Sequence, residues 1–318
     1  MTSKTLAPFR DAVAAFGPPV VLFNKSHSGS RMLAQLLHDA GIFMGAHRNE
    51  SWDSLDVLAL VEYLVTRYYP SYEPLFDADG PVDDVLATLL SRVFERHLEG
   101  LVPGQRWGWK LCETAYILPV LAYCFPDAKY VHLIRDGRDV AFCDHHAPND
   151  AFWRKVYFNT DRMRTVEGIN LTGPAYRRRS YLFNAIHWVN SVRIGRSYGA
   201  MLGSRYREVR YEELCLDFQA ESRRLMSYLE VDGPAAAAAR SGTVVYESSI
   251  GKYRRYPASW RRQVLSIEKP LLLELGYLFD DPEPRAAWPW NGHLVDRFLD
   301  RCHRHRPLVE RTDARHRP

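Results

Sequence analysis

The chain has 318 residues, of which 46% are hydrophobic and 25% are charged, and its formal net charge is +4. A chain of this length can bury a sizeable core, and it suits one large α/β domain or two smaller ones. The mild basicity fits an anionic small ligand, whereas a nucleic-acid-binding module more often shows a concentrated basic stripe. We therefore expect no nucleic-acid partner.

The cysteines and the apolar runs bear on the cellular compartment. The five cysteines are scattered, odd in number and free of CxxC pairs, which argues against a disulfide framework or a zinc site. Residues 1–18 lack the sustained apolar run of a signal peptide, and no run approaches the roughly 20 residues of a transmembrane helix. We expect a soluble, cytoplasmic protein with no metal and no stable membrane insertion.

Strands and helices are predicted to alternate along the chain after a leader at residues 1–18. The apolar run at 20–23 predicts a strand, and the apolar face from residue 31 predicts a helix that Gly41 ends. Further strands are predicted at 107–111, 130–134 and 206–211. Helices are predicted over most of 53–100 and 150–203, from a Thr114 cap to about 125, and from the fourth strand to about 229. This order predicts a three-layer α/β fold, with a central parallel sheet and helices on both faces.

The polar loop at 24–31 lies between the first strand and the first helix. Backbone amides and the helix dipole favour an anion at such a place, and Gly29 permits close approach. The loop resembles a P-loop, but it lacks the Gly-Lys-Ser/Thr ending of a Walker A motif. A Mg²⁺-dependent ATP or GTP enzyme is therefore disfavoured, and an ordinary polar loop is the other interpretation. Its candidate anion-binding groups are Lys25, His27, Ser28, Gly29, Ser30 and Arg31.

The third predicted strand runs directly into Arg135-Asp136-Gly137-Arg138-Asp139. An arginine at the carboxyl end of a central parallel strand lies where open α/β sheets bind ligands. Arg135 is suited to bidentate contact with a phosphate, and Cys143 follows about two helical turns later. The alternative is that Arg135 and Arg138 only form surface ion pairs with Asp136 and Asp139.

Together these segments resemble two signatures of the sulfotransferase family, which bind 3′-phosphoadenosine 5′-phosphosulfate (PAPS). Residues 27–31 are similar to its 5′-phosphosulfate loop. Residues 133–140 are similar to its 3′-phosphate motif, in which Ser follows Arg by eight residues. Residues 209–214 resemble the late strand with a Tyr-Glu-x-Leu exit, and residues 251–256 resemble the basic loop that covers the nucleotide. The four motifs occur in the family's order across about residues 18–280.

The resemblance implies a P-loop NTPase-like sulfotransferase domain at residues 19–280. It also implies transfer of the sulfuryl group of PAPS to a hydroxyl or amine of a small-molecule, glycan or lipid acceptor. Amides of the first loop would hold the 5′-phosphate, and Arg135 the 3′-phosphate. The residues implied to bind PAPS are Lys25, His27, Ser28, Gly29, Ser30, Arg31, Arg135, Cys143, Lys252, Arg254 and Arg255.

Two positions depart from the family pattern. His27 stands where the family has Lys or Arg, and a neutral imidazole stabilises a sulfuryl group less than a fixed cation does. Lys25 and Arg31 are the candidates to supply the missing charge. Cys143 stands in place of Ser, and a thiol is a poor hydrogen-bond partner.

The base that accepts the acceptor's proton is a His or a Glu in this family. Many soluble members have Lys-x-His after the second strand, and here Cys112 takes the His position, which leaves Glu113 nearest. Glu50 and Asp53 follow the first helix, where glycan-type members carry a catalytic Glu. We favour Glu113 slightly over Glu50 and include His27 among the catalytic candidates. For both carboxylates the alternative is a helix cap or a surface ion pair.

Two other functions stay open at this point: a small-molecule or nucleotide kinase on a related scaffold, and a non-catalytic nucleotide-binding protein. Aromatic residues at 150–200 suit a sugar, a lipid or a phenolic ring. Residues 147–180 are predicted to include a substrate lid, and residues 281–318 to form a loosely ordered basic extension. A homodimer is also left open.

Overall fold

A parallel four-stranded sheet lies at the centre of the computed structural model. The structure describes residues 6–69, 71–72, 75, 83–143, 165–166, 169–170, 180–245 and 247–278. The spatial order of the strands is β2 (Gly108–Lys110), β1 (Val20–Asn24), β3 (Lys129–Ile134) and β6 (Tyr206–Arg210). A separate antiparallel pair is formed by β4 (Thr165–Val166) and β5 (Ile169–Asn170).

Helices connect the strands and cover both faces of the sheet. Within the described residues they are α1 (Ala7–Ala14), α2 (Ser30–Asp39), α3 (Leu55–Tyr68), α4 (Asp84–His97), α5 (Leu118–Cys124), α6 (Gly137–Ala141), α7 (Ser180–Leu202), α8 (Tyr211–Leu216), α9 (Phe218–Leu229), α10 (Pro234–Gly242) and α11 (Ala258–Glu274). Short 3₁₀ turns occupy Cys112–Ile117, Gly203–Arg205, Glu247–Ser249 and Lys252–Arg255. The predicted α/β architecture is confirmed.

The central strand β1 divides the core into two layers. Val21 and Phe23 pack into one apolar cluster with α3, α4 and α5, while Val20 and Leu22 pack into another with α2, α8 and α9. All four side chains are fully buried. Successive side chains of a strand point to opposite faces, so a strand covered on both sides needs a continuous apolar run.

The register of the sheet brings two polar segments together. Asn24, the last residue of β1, is paired with Leu133 of β3. The loop after β1 and the corner after β3 therefore leave the same edge of the sheet side by side, as the carboxyl ends of neighbouring parallel strands do. We call residues 25–29 the strand-exit loop and residues 135–143 the Arg135 corner.

Three local features differ from the sequence predictions or extend them. Thr114 lies inside a 3₁₀ turn and does not cap a helix, because its buried hydroxyl accepts a hydrogen bond from the Trp109 indole at 3.2 Å. Residues 165–166 and 169–170 form paired strands, not helix, and three of these four residues are β-branched, which favours strands. The start of the predicted leader folds as α1, whose Phe9 packs 5.4 Å from Phe94 between ring centroids.

Several predictions fall on other parts of the chain. Most of the proposed lid at 147–180 and all of the extension at 281–318 lie outside the described residues. None of the helices in the described ranges combines the length and apolarity needed to cross a bilayer.

Candidate active site

The strand-exit loop is held by hydrogen bonds between its own residues and leads directly into α2. The carbonyl of Lys25 accepts hydrogen bonds from the Ser28 amide at 3.2 Å and the Ser28 hydroxyl at 2.6 Å. Gly29 then begins α2 with φ of 90°, a conformation that favours glycine. Gly29 offers no capping side chain, so the first amides of α2 are the kind of group that binds an anion.

The ring of Tyr211 packs directly on Gly29. A Cβ at this glycine would lie 2.3 Å from Cε2 of Tyr211. The Tyr211 hydroxyl is hydrogen-bonded to the Ser249 hydroxyl at 2.7 Å, and the Arg135 guanidinium lies 4.5 Å from the centre of its ring. Tyr211 therefore joins the strand-exit loop to the Arg135 corner.

Arg135 is the central cation of this corner, although its residue is only 4% exposed. One terminal nitrogen donates to the His27 carbonyl at 3.3 Å, and the other donates to the Ser249 carbonyl at 2.5 Å. Its Nε is buried and has no hydrogen-bond partner among the described residues. Buried donors are nearly always paired, so this nitrogen is available to a bound acceptor.

Asp139 attaches residues 249–256, here called the cover segment, to the Arg135 corner. Its buried carboxylate accepts hydrogen bonds from the Gly251 amide at 2.7 Å and the Tyr253 amide at 2.9 Å. Burial raises the pKa of Asp139, and the two amides oppose that shift. This attachment adds to the hydrogen bonds that Ser249 makes with Arg135 and Tyr211.

The cover segment brings a lysine to Cys143. The Lys252 ammonium lies 3.4 Å from the Cys143 sulfur, which lies at the end of the Arg135 corner. Arg254 and Arg255, by contrast, are exposed. The structure therefore groups Arg135, Cys143 and Lys252, and leaves the two arginines on the outer surface of the segment.

Helix α7 supports the main chain of the corner from the other side. The Trp188 indole donates to the Arg135 carbonyl at 3.0 Å. The Asn184 amide donates to the carbonyls of Ala141 at 3.1 Å and Cys143 at 3.2 Å. These contacts fix the backbone of Arg135 and Cys143 from a long, buried helix.

A cavity of about 610 Å³ opens beside the strand-exit loop. Its lining is mixed, with apolar, aromatic and charged groups that include Gly29, Arg31, Met32, Tyr211, Thr243 and Val244. Ligand sites of this size usually combine apolar walls with a few polar groups that fix orientation. The cavity is therefore suited to a flat ring system whose anionic substituents reach the loop.

Lys25 is buried within the site. Its ammonium donates to the Ser26 hydroxyl at 2.9 Å, and the residue is 1% exposed. Burial lowers the pKa of Lys25 to about 8, while the acidic groups of Cys112, Cys143, Glu113 and Glu268 oppose the shift. The pKa of Lys25 therefore depends on acidic groups at the end of β2 and on others at and beneath the Arg135 corner.

The buried Lys25 predicts a specific dependence of stability on pH. Its pKa is about 8 in the folded state and 10.5 when exposed, so the unfolded chain binds more protons between these values. The free energy of unfolding of the wild type, relative to Lys25→Met, is expected to rise by about 3 kcal/mol from pH 8 to pH 10.5. Denaturant titrations of both proteins across this range measure the difference. A difference independent of pH would contradict the lowered pKa.

The end of β2 carries a part-buried ion pair. The Lys110 ammonium donates to Asp53 Oδ1 at 2.7 Å and to the Ser51 carbonyl at 3.1 Å. Burial opposes the charge on Lys110, but Cys112 and Asp53 outweigh it and raise its pKa. Glu113, in the adjoining 3₁₀ turn, is half-buried, whereas Glu50 is exposed.

One further carboxyl group lies beneath the Arg135 corner. Glu268 of α11 is fully buried, and neither of its oxygens has a hydrogen-bond partner among the described residues. A Cβ at Gly137 would lie 2.7 Å from its Oε2. Burial raises the pKa of Glu268 well above its usual range.

The structure brings most of the predicted site residues together. The central groups are Lys25, Ser28, Gly29, Arg135, Cys143 and Lys252. Ser30 is buried at the start of α2, Arg31 lines the cavity, and His27 contributes its carbonyl while its residue is exposed. The sequence prediction gave no role to Tyr211, Ser249 or Glu268; only Tyr211 lay in a quoted motif.

Comparison with known proteins identifies the family of the chain. The model of the sulfotransferase family matches residues 19–234. No curated protein matches the chain. The chain therefore belongs to the sulfotransferase family, which confirms the resemblance seen in its motifs. Its activity is that of a sulfotransferase, and the kinase alternative is not favoured.

Solved sulfotransferases are also similar to the chain at low sequence identity. The sulfotransferase domain from the curacin biosynthetic pathway is 17% identical, covers 78% of this chain and 96% of its own, and gives a TM-score of 0.44. Sulfotransferase STF9 from Mycobacterium avium is 15% identical, covering 87% and 82%, with a TM-score of 0.43. Mouse sulfotransferase SULT7A1, complexed with PAP, is 15% identical, covering 96% and 95%, with a TM-score of 0.46.

Proposed function

We propose that this sulfotransferase uses PAPS as its donor and transfers the sulfuryl group to a hydroxyl or amine of a small-molecule acceptor. The observation that carries the proposal is the position of Arg135. This buried cation contacts the strand-exit loop and the cover segment, and its Nε is unpaired among the described residues. Arg135 stacks on Tyr211, which lines the cavity beside Gly29, so a cation and the strand-exit loop lie on two sides of one ring, as a ligand phosphorylated at both ends requires.

The donor is assigned to the site in three parts. The amides of residues 28–31 would bind the 5′-phosphosulfate at the start of α2. The cavity beside Gly29 and Tyr211 would hold the adenosine. Arg135 would bind the 3′-phosphate with Lys252, whose ammonium lies beside Cys143 and compensates for the weak thiol donor.

Lys25 is proposed to supply the positive charge that the family takes from the position of His27. Its ammonium is buried in the loop, whereas His27 is exposed and contributes a carbonyl to Arg135. A cation in a site of low dielectric stabilises charge that develops on a leaving phosphate. Arg31, at the cavity wall, would contact the donor from the solvent side.

The acceptor and the location are proposed from the sequence. Aromatic residues at 150–200 suit acceptors that carry a sugar, a lipid or a phenolic ring. The scattered cysteines favour a reducing, cytoplasmic compartment.

Binding and transfer measurements test the proposed function. Calorimetry should show binding of adenosine 3′,5′-bisphosphate without Mg²⁺. Labelled PAPS should transfer sulfate to at least one of 2-naphthol, glucosamine and 1-octanol, which represent the three acceptor classes. Binding without transfer to any acceptor would favour a non-catalytic protein. Tight Mg²⁺-dependent ATP binding with no affinity for the bisphosphate would contradict the assignment of the donor.

A further inference from the structure

A third carboxylate, that of Asp53, lies beside Lys110 at the end of β2. We infer that Asp53, held by Lys110 at the end of β2, takes the proton from the acceptor; this inference rests on the proposed function. The structure positions both oxygens of Asp53. Oδ1 accepts from the Lys110 ammonium at 2.7 Å, and Oδ2 accepts from the Asn49 side-chain amide at 3.3 Å.

The turn that carries Asp53 is ordered by its own polar groups. The Asn49 side-chain oxygen accepts from the main-chain amides of Ser51 and Asp53, both at 2.9 Å. The Ser51 carbonyl accepts in turn from the Lys110 ammonium. A general base works best when its rotamer is fixed before the substrate arrives, and this turn provides that.

Asp53 adjoins the end of β1, where the strand-exit loop begins. The Cys112 sulfur lies 4.0 Å from Asp53 Oδ1 and 3.5 Å from the side-chain oxygen of Asn24, the last residue of β1. Burial raises the pKa of Cys112 to about 12, so this thiol stays protonated and is not itself a base. Cys112 thus links the Asp53 carboxylate to the end of β1.

Asp53 is less exposed than Glu50, the other carboxylate of its turn. The Asp53 side chain is 18% exposed, and its ion-pair partner Lys110 is 4% exposed. Such a carboxylate can be reached by an acceptor and is still partly desolvated, which a base requires. Glu50, three residues earlier, is exposed. Glu113 lies in the 3₁₀ turn after β2, and its charge acts on both Lys25 and Lys110.

The proposed step balances without another reactant. As the acceptor oxygen forms a bond to sulfur, its proton passes to the Asp53 carboxylate. The bond between sulfur and the bridging oxygen of PAPS breaks, and its electron pair remains on the phosphate of the departing adenosine 3′,5′-bisphosphate. Lys110 keeps Asp53 oriented throughout and carries a compensating positive charge beside the reacting groups.

Asp53→Asn is the direct test, because the amide keeps the shape and an acceptor for Lys110 but cannot take a proton at neutral pH. We expect kcat for transfer from PAPS to water and to 2-naphthol to fall by about 100-fold or more. The affinity for adenosine 3′,5′-bisphosphate should stay within about threefold of wild type, which is below 1 kcal/mol. The acidic limb of the wild-type pH–rate profile should disappear. Glu62→Gln, on the exposed face of α3, is the control and should match wild type.

Asp53→Glu shows whether a loss of activity in Asp53→Asn comes from a folding defect. It keeps the charge against Lys110, so it should fold, retain the acidic limb and lose part of kcat. The inference would be overturned if kcat of Asp53→Asn were unchanged, or if that variant lost only nucleotide affinity. It would also be overturned if kcat fell only in Glu113→Gln. If Asp53→Asn does not fold, a wild-type rate and profile in Asp53→Glu would overturn it. Bisphosphate binding by a wild type that turns over no PAPS would also overturn it, whereas absence of that binding would overturn the proposed function.

Discussion

Replacing Arg135 with Gln is expected to weaken the binding of adenosine 3′,5′-bisphosphate by about 100-fold or more, equivalent to roughly 3 kcal/mol. The guanidinium is buried and is assigned to the 3′-phosphate, and charge-assisted contacts of this kind are among the strongest hydrogen bonds in proteins. Glutamine keeps some polarity but neither the charge nor the forked geometry. Calorimetric titration of both proteins at the same ionic strength measures the effect.

Arg138→Gln is the matched control for this prediction. Arg138 lies in the same corner, but it pairs with Asp136 at 2.7 Å and stacks on Tyr253. Its loss should lower the melting temperature with only a severalfold change in affinity. Equal affinities for wild type and Arg135→Gln would show that the phosphate binds elsewhere.

Gly29→Ala is expected to abolish nucleotide binding and to destabilise the fold. Its Cβ would meet the Tyr211 ring at 2.3 Å, so the ring or the strand-exit loop must move. Overpacking of this kind typically costs 1–3 kcal/mol, and the left-handed backbone adds about 1–2 kcal/mol. Denaturant unfolding and bisphosphate titration together measure both losses.

Gly41→Ala separates the loss of stability caused by the left-handed backbone from the loss caused by the contact with Tyr211. Gly41 has φ of 97°, close to the 90° of Gly29, but nothing lies within 4 Å of a Cβ built there. This variant should show the backbone cost alone and bind the nucleotide normally. If both alanine variants lose the same stability and retain binding, the contact between Gly29 and Tyr211 has no functional role.

The sheet and the position of Arg135 were predictable because they follow from local patterns. A continuous apolar run at Val20–Phe23 requires cover on both faces, and this predicts a central strand. Once β1 and β3 are taken as parallel, the geometry of the sheet places both polar segments at one edge. The family motifs then gave the same two segments a shared ligand.

The side-chain geometry of the site was not predictable in the same way. Glu50 and Asp53 are three residues apart and chemically alike. Asp53 contacts Lys110 because the Asn49 side chain folds the turn, and Lys110 comes from a strand 57 residues away. Glu268 gave no sequence signal at all, because its burial depends on the packing of α11 against the Arg135 corner.

The contacts of Arg135 also bear on how the product leaves. Both terminal nitrogens already donate to main-chain carbonyls, those of His27 and Ser249. A phosphate that takes over one of these nitrogens would displace a carbonyl, and the carbonyl regains its donor when the nucleotide departs. Exchange of partners of this kind lowers the barrier to dissociation, since neither terminal nitrogen is left without an acceptor. Opening of the cover segment would then limit turnover only if release of the nucleotide also required the hydrogen bonds of Asp139 to Gly251 and Tyr253 to break.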